Sequence, residues 1–174
     1  VPASLDLADG MVKLRIESHN IELKGASFPA WSFISSGFSV LGQKEMVLTL
    51  KREDHESETL IPADILTFFK TILTLASQGR FVQEGGFSQL GEKSRICGFQ
   101  GMIYSQLFES GPFDLPPSPL QVTLVTEKEI VAAQRVGHLR VLSRLGHFYK
   151  HYPWPSWNDR KRTEINMTDV LDNT

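Results

Sequence analysis

The side chains with the strongest intrinsic reactivity in this sequence are a single cysteine, Cys97, and five histidines. A thiolate with a histidine as its base is a familiar nucleophilic pair, so Cys97 with His138 or His147 is one catalytic hypothesis. The flanking residues 96–99 instead have the pattern of a strand interior, where a thiol behaves as a small apolar side chain. We therefore expect the protein not to be an enzyme, and a cysteine-dependent enzyme that uses Cys97 stays as an alternative.

Two histidines suggest a metal site, because His147 and His151 are four residues apart on a predicted helix. The sequence between them lacks the glutamate of a zinc protease motif, and Pro153 would disrupt the last helical turn. The glycine-rich stretches 85–91 and 98–101 match neither a P-loop nor a dinucleotide fingerprint. We expect no metal and no other cofactor.

Aromatic and basic residues are combined in HYPWPSWNDRKR, residues 151–162. Arg160, Lys161 and Arg162 beside two tryptophans have the composition of a site that stacks bases and contacts phosphates. The formal net charge of −2, however, gives no general attraction to nucleic acid or to an anionic membrane. Three basic residues on a net acidic chain are a small footprint, so we expect no nucleic acid partner.

The strands that would position these side chains are predicted from alternating apolar and polar residues. The clearest lies in EMVLTLKR, residues 45–52, where Met46, Leu48 and Leu50 share one face. Residues 12–16 and 21–24 form a predicted hairpin around a turn at 18–20. Further strands are predicted at residues 31–40, with a bend at Gly37, at 96–104 and at 120–126.

Two stretches have the periodicity of amphipathic helices. In the first, Pro62 suits the initial turn and Gly79 ends the helix, while an apolar stripe faces the sheet. The second extends from about His138 to Tyr149. Glu127 and Glu129, which precede this second helix, are expected on a solvated edge. Together the elements predict an α+β fold, a largely antiparallel mixed sheet with two main helices packed on one face.

Length and composition are those of one globular domain. The chain has 174 residues, of which 41% are hydrophobic and 22% charged, so it can bury a sizeable core. We expect residues 1–10 to be an N-terminal extension and residues 11–171 to be a single domain. One cysteine permits no intramolecular disulfide, which suits a reducing, cytoplasmic location. No apolar run is long enough to cross a bilayer, so we expect no direct membrane insertion.

Several stretches, in order and with matching spacing over about residues 11–171, resemble the C-terminal domain shared by SARA (Smad anchor for receptor activation) and endofin. They are residues 31–33, 40–48, 61–65 with Phe68, 116–119, 140–149, 152–155 and 160–162. A weaker resemblance to the suppressor of fused domain is carried by residues 31–40, by the strand ending at 48–53 and by the Pro62 helix. Both resemblances imply a noncatalytic, suppressor-of-fused-like fold that binds other proteins.

The SARA and endofin resemblance implies an interaction domain of a cytosolic scaffold or adaptor. Its expected context is endosomal signalling, through the TGF-beta/BMP receptor–Smad pathway, or trafficking, with the chain as the first half of a larger SARA-type C-terminal region. No FYVE finger and no recognisable Smad-binding segment is present, so recruitment to the early endosome is expected only through other domains of a parent protein. The suppressor of fused resemblance implies the alternative, a sequestering or immunity module that binds a single client protein.

In the family pattern, the aromatic run follows directly on the second helix. Tyr152, Pro153 and Trp154 are therefore expected to anchor the end of that helix to the core. The segment beyond the prolines is accessible to a protein partner, and tryptophan and arginine are enriched at binding hot spots. The predicted partner-binding residues are Trp157, Arg160, Lys161 and Arg162. An exposed sheet edge is a second route, because a partner peptide can add a strand to it.

Overall fold

The computed structural model describes residues 3–92, 94–109 and 111–168. Within these ranges the strands are β1 (Ala3–Ala8), β2 (Val12–Leu23), β3 (Ala26–Ser36), β4 (Met46–Lys51), β5 (Phe87–Gln89), β6 (Gly101–Gln106) and β7 (Leu120–Val125). The helices are α1 (Phe38–Leu41), α2 (Ala63–Ser77), α3 (Glu127–Val136) and α4 (His138–Tyr149). No helix in the described part of the chain is both long and apolar enough to span a bilayer.

The seven strands form one sheet in the order β1-β2-β3-β4-β7-β6-β5. Neighbouring strands are antiparallel except β4 and β7, which run parallel. The predicted α+β class with a largely antiparallel mixed sheet is confirmed. Residues 3–8, predicted to lie in an N-terminal extension, form β1 at the edge of the sheet.

The two faces of the sheet carry different cores. α2 covers the face formed by alternate residues of β2, β3, β4 and β7, among them Val12, Leu14, Trp31, Phe33, Leu48, Leu50, Val122 and Leu124. α3 and α4 pack in a second core with Ile103 and Val125, which point to the opposite face. The two main helices therefore cover opposite faces rather than one. Only Thr126 separates the end of β7 from the start of α3. Because α2 already covers the first face, α3 and α4 pack on the second.

Three strand predictions are corrected by the structure. Residues 18–20 are no turn, because β2 pairs with β3 along its whole length and the hairpin turns at Lys24 and Gly25 instead. Residues 38–41 form α1, whose first N–H groups are bound by the Glu45 carboxylate at 3.1 to 3.2 Å. Residues 96–99 form a tight turn, and β6 begins only at Gly101.

α3 has no counterpart among the predicted elements. Thr126 caps its N-terminus, with its hydroxyl accepting from the Glu129 N–H at 3.3 Å while Glu129 Oε1 accepts from the Thr126 N–H at 2.9 Å. This reciprocal capping box is visible in the sequence as a threonine followed three residues later by glutamate. It was the available signal for this helix.

Candidate partner-binding site

The predicted partner-binding residue Trp157 lies inside the protein. Its side chain is 5% exposed, and its ring contacts those of Phe28, Tyr149 and His151 at centroid distances of 5.5, 6.0 and 4.9 Å. The expected exposure beyond the prolines is therefore corrected: the chain turns back onto the core at this point. Trp157 joins the β2–β3 hairpin to the end of α4.

The next residue, Asn158, completes the sheet where β4 and β7 separate. These strands pair directly only at Met46 with Leu120 and at Val47 with Gln121. Beyond that point the backbone of Asn158 bonds to β4, accepting from the Lys51 N–H and donating to the Thr49 carbonyl, each at 2.8 Å.

The side chain of Asn158 bonds to both β4 and β7. It donates to the carbonyls of Thr49 and Val122 at 3.0 Å and accepts from the Leu124 N–H at 2.7 Å. Sequence reasoning missed this residue.

Arg160 is held by the loop that follows β4. Its Nη1 donates to Glu56 Oε2 at 3.0 Å, and Nη2 donates to Glu56 Oε1 and, at 3.3 Å, to the Lys51 carbonyl. These bonds from Arg160 lower the pKa of Glu56. The guanidinium also lies 5.9 Å from the centre of the Trp31 ring. Of the basic trio only Lys161 is well exposed, and its Nζ lies 3.2 Å from Glu53 Oε2.

Arg162 forms a buried ion pair with Glu129, whose side chains are 4% and 0% exposed. Nη1 donates to Glu129 Oε2 at 2.8 Å, and Nη2 donates to Oε1 and to the Leu124 carbonyl. The Ile165 N–H adds a bond to Glu129 Oε2 at 3.1 Å. Glu129 was expected on a solvated edge and Arg162 in an accessible segment, and the burial of both side chains corrects these two expectations. The buried charge of Glu129 is tolerated because its cation, Arg162, and its hydrogen-bond donors are buried beside it.

The three expected anchors behave differently from one another. Trp154 is 8% exposed and lies edge-on to Phe108 at 5.1 Å. Pro153 is exposed, but its carbonyl oxygen lies against Gly146, where a Cβ would come within 2.3 Å of it. Tyr152 is 66% exposed, so it does not anchor the helix.

The catalytic and metal hypotheses gain no support from the geometry. Burial raises the pKa of Cys97 to about 11, so the thiol is the populated form at neutral pH. His138 lies against Gly85, and His151 bonds through Nε2 to Glu109. In residues 3–92, 94–109 and 111–168, no cluster of three or more metal-ligating side chains occurs.

A groove between α2 and β5 is a further candidate site. It has a volume of about 600 Å³, an apolar floor and a mostly uncharged rim. The floor consists of Phe68, Ile72, Leu90, Ile96, Met102 and Tyr104, and the rim of Asp64, Thr67, Thr71, Ser88, Gln89, Ser94 and Arg95. Ser88 Oγ and the Tyr104 hydroxyl are 2.7 Å apart and form a hydrogen bond with each other. We call this site the α2/β5 groove.

The α2 side of the groove presents methyl groups rather than free hydroxyls. Thr67 and Thr71 each donate to the carbonyl four residues earlier, at 3.3 and 2.9 Å, and Thr74 does the same at 3.0 Å. The hydroxyls are therefore satisfied within the helix. Only Asp64 and Lys70 carry charge along the exposed side of α2.

The β5 side of the groove is the last strand of the sheet. In its pairing with β6, Gly86 bonds to Tyr104 and Leu90 to Gln100. Peptide groups alternate in direction along an antiparallel strand, so those of Phe87 and Gln89 point away from β6. Phe87 is also 40% exposed. This edge can pair with an added strand.

Comparison with known proteins gives two sequence relatives. Over 138 residues, 78% of the chain, it is 27% identical to zinc finger FYVE domain-containing protein 16 of Mus musculus, of which it covers 9%. Over 142 residues, also 78%, it is 29% identical to zinc finger FYVE domain-containing protein 9 of Homo sapiens, of which it covers 10%. The chain thus spans about a tenth of the length of these curated relatives. No model of a known protein family matches it.

Solved structures share the fold. The crystal structure of Drosophila Suppressor of Fused matches with a TM-score of 0.62 at 16% identity, over 91% of this chain and 44% of that chain. A chain of the Sufu–Fu complex crystal structure matches with a TM-score of 0.66, also at 16% identity, over 99% of this chain and 87% of that chain. Both predicted resemblances are confirmed. At this identity the solved structures establish the fold.

Proposed function

We propose that this chain is a noncatalytic protein-interaction domain that holds an extended segment of a partner protein in the α2/β5 groove. The observation that carries the proposal is the position of an unpaired strand edge beside an apolar groove. The partner's main chain pairs with the outward peptide groups of Phe87 and Gln89. Its alternate side chains enter the groove, where Phe68, Ile72 and Met102 form the floor.

The low charge of the rim supports this choice of site. Fully desolvated charges are costly, and the centres of protein interfaces are depleted in them. The basic segment at residues 160–162 is highly charged, and its Arg160 and Arg162 already form ion pairs with Glu56 and Glu129 inside the domain. We therefore place the proposed partner contact in the α2/β5 groove, and the contact through Trp157, Arg160, Lys161 and Arg162 stays a prediction from the sequence.

The wider role we propose is that of a scaffold or adaptor module in endosomal signalling, in the TGF-beta/BMP receptor–Smad pathway, or in trafficking. Its support is the similarity to the two FYVE domain-containing proteins over 78% of the chain. The alternative is a module that sequesters one client, and it is supported by the fold shared with a chain of the Sufu–Fu complex. The scaffold role and the sequestering role differ in the identity of the partner, and in both the partner binds in the α2/β5 groove.

The test is a peptide-library selection against the wild-type domain, followed by binding measurements on two α2 variants. Thr71→Arg places a bulky charge in the groove, and we expect it to abolish binding of the selected peptides. Thr74→Arg is the matched control, since Thr74 is exposed on the same helix, has the same hydroxyl bond, and does not line the groove.

Hydrogen exchange on the peptide complex provides an independent readout of the geometry. The amides of Phe87 and Gln89 should become protected if the peptide adds a strand to β5. Equal binding by wild type and the Thr71→Arg variant, at equal thermal stability, would show that the groove is not the site.

A further inference from the structure

Residues 130–158 contain no aspartate or glutamate, although the whole chain is net acidic. This is the longest acid-free stretch of the sequence, and it includes α4 and the turn that follows it. Its basic residues are Arg135, Arg140, Arg144 and Lys150, with three histidines among them. The charge of the chain is therefore unevenly distributed, with a positive region around α4.

The exposed side of α4 has a defined pattern. Its buried side consists of Val141, Leu142, Leu145 and Gly146. At about 100° per residue, Arg140 and His147 lie at the centre of the opposite side, and Leu139 and Phe148 lie at its two flanks. Leu139 is 53% exposed and Phe148 49% exposed. The helix thus presents an arginine and a histidine bordered by apolar residues.

The turn after α4 extends this pattern. Lys150 ends the helix in the left-handed conformation, with φ of 53°, and is exposed. Tyr152 follows with 66% of its surface exposed, and the tight contact between Gly146 and Pro153 holds the turn against the helix. We define the α4 surface as Leu139, Arg140, His147, Phe148, Lys150 and Tyr152.

Arg140, His147 and Lys150 of the α4 surface form no ion pair found within the described part of the chain. The neighbouring carboxylate Glu109 is already engaged by His151 and, at 3.1 Å, by Ser156 Oγ. Four cavities in the described part of the chain have no α4 residue in their lining.

We propose that the α4 surface is a contact site for an anionic lipid surface. Arg140 and Lys150 attract acidic headgroups, and the flanking Leu139, Phe148 and Tyr152 enter the interfacial layer without spanning the membrane. Those four cavities give α4 no groove for an acidic peptide, and the exposed apolar side chains do not match a nucleic acid backbone. The contact adds to the recruitment by other domains that the sequence resemblance implies, and it is independent of the α2/β5 groove.

The experiment is cosedimentation of the chain with phosphatidylcholine vesicles that contain about 30% phosphatidylserine, compared with pure phosphatidylcholine vesicles. We expect binding only to the anionic vesicles, weakening as salt is raised. Each basic side chain near such a surface raises the partition coefficient of the protein onto the vesicles about fivefold. The double variant Arg140→Gln with Lys150→Gln should therefore weaken vesicle binding about 30-fold. The matched control is Lys24→Gln with Lys44→Gln, which removes the same charge from exposed positions elsewhere.

A second pair of variants distinguishes lipid from other polyanions. Leu139→Ser with Phe148→Ser should weaken vesicle binding, because the apolar contacts are lost. Equal loss in the Lys24 and Lys44 control, equal binding to both vesicle types, or binding to an acidic oligopeptide or duplex DNA without vesicle binding would overturn the proposal. Thermal melting of each variant establishes that the fold is retained.

Discussion

Breaking the buried ion pair between Arg162 and Glu129 should destabilise the domain strongly. In an Arg162→Met variant, Glu129 remains fully buried without its cation, a change that costs about 3–5 kcal/mol in comparable cases. The carboxylate keeps the N–H groups of Thr126 and Ile165, at 2.9 and 3.1 Å, which places the expected loss near the lower end, at about 3 kcal/mol. Since domains of this size unfold with about 5–15 kcal/mol, the variant should still fold.

The assay is urea unfolding at neutral pH, with Lys161→Met as the control. Lys161 pairs with Glu53, but its side chain is 70% exposed, so its removal should cost less than about 1 kcal/mol. The difference between the two neighbouring substitutions isolates the effect of burial. If Arg162→Met were no more destabilising than Lys161→Met, the inward position of this segment would be refuted.

Three further predictions concern the same region and the cysteine. Asn158→Ala should lower the free energy of unfolding in urea by about 2–3 kcal/mol, because it leaves the buried Leu124 N–H without its acceptor. The exposed Asn166→Ala should change this free energy little. Equal losses in the two variants would contradict the role of Asn158 as a bridge between β4 and β7. The lowered pKa of Glu56 means that its stabilisation is present above the ordinary carboxylate range and is lost as pH falls through the folded-state value. Glu56→Gln should therefore be less stable than wild type at neutral pH, with the gap narrowing below about pH 4, and a gap that does not change with pH would rule out this linkage. Cys97→Ala should leave peptide and vesicle binding unchanged, and loss of either with the fold intact would implicate the thiol.

Much of the scaffold was predictable from local pattern. For α2, the proline in the first turn, the apolar stripe and the terminal glycine gave bounds close to the observed Ala63–Ser77. The predicted second helix coincides with α4, and strict alternation located β4 and β7. α3 was predictable in principle from its capping box, although its single exposed valine and buried alanines form a weaker stripe.

The candidate site was less accessible to sequence reasoning. The groove joins residues of α2 with those of β5 and β6, which are far apart in the chain, so no spacing rule connects them. The strand edge exists only because β5 is last in the sheet order. The tight turn at 96–99 also broke the expected strand, since Cys97 and Gly98 both have positive φ.

The sequence alone determined which residues favour strand or helix, because those preferences come from the local geometry of side chain and backbone. It also determined the resemblance to the SARA and endofin C-terminal domain and the absence of acidic residues from 130–158. Only the tertiary structure decided which way residues 157–162 face. Arg162 reads as a surface residue until Glu129, distant in sequence, is placed beside it in the core. Burial of a charge depends on a partner from another element, and that pairing is settled by the assembled fold.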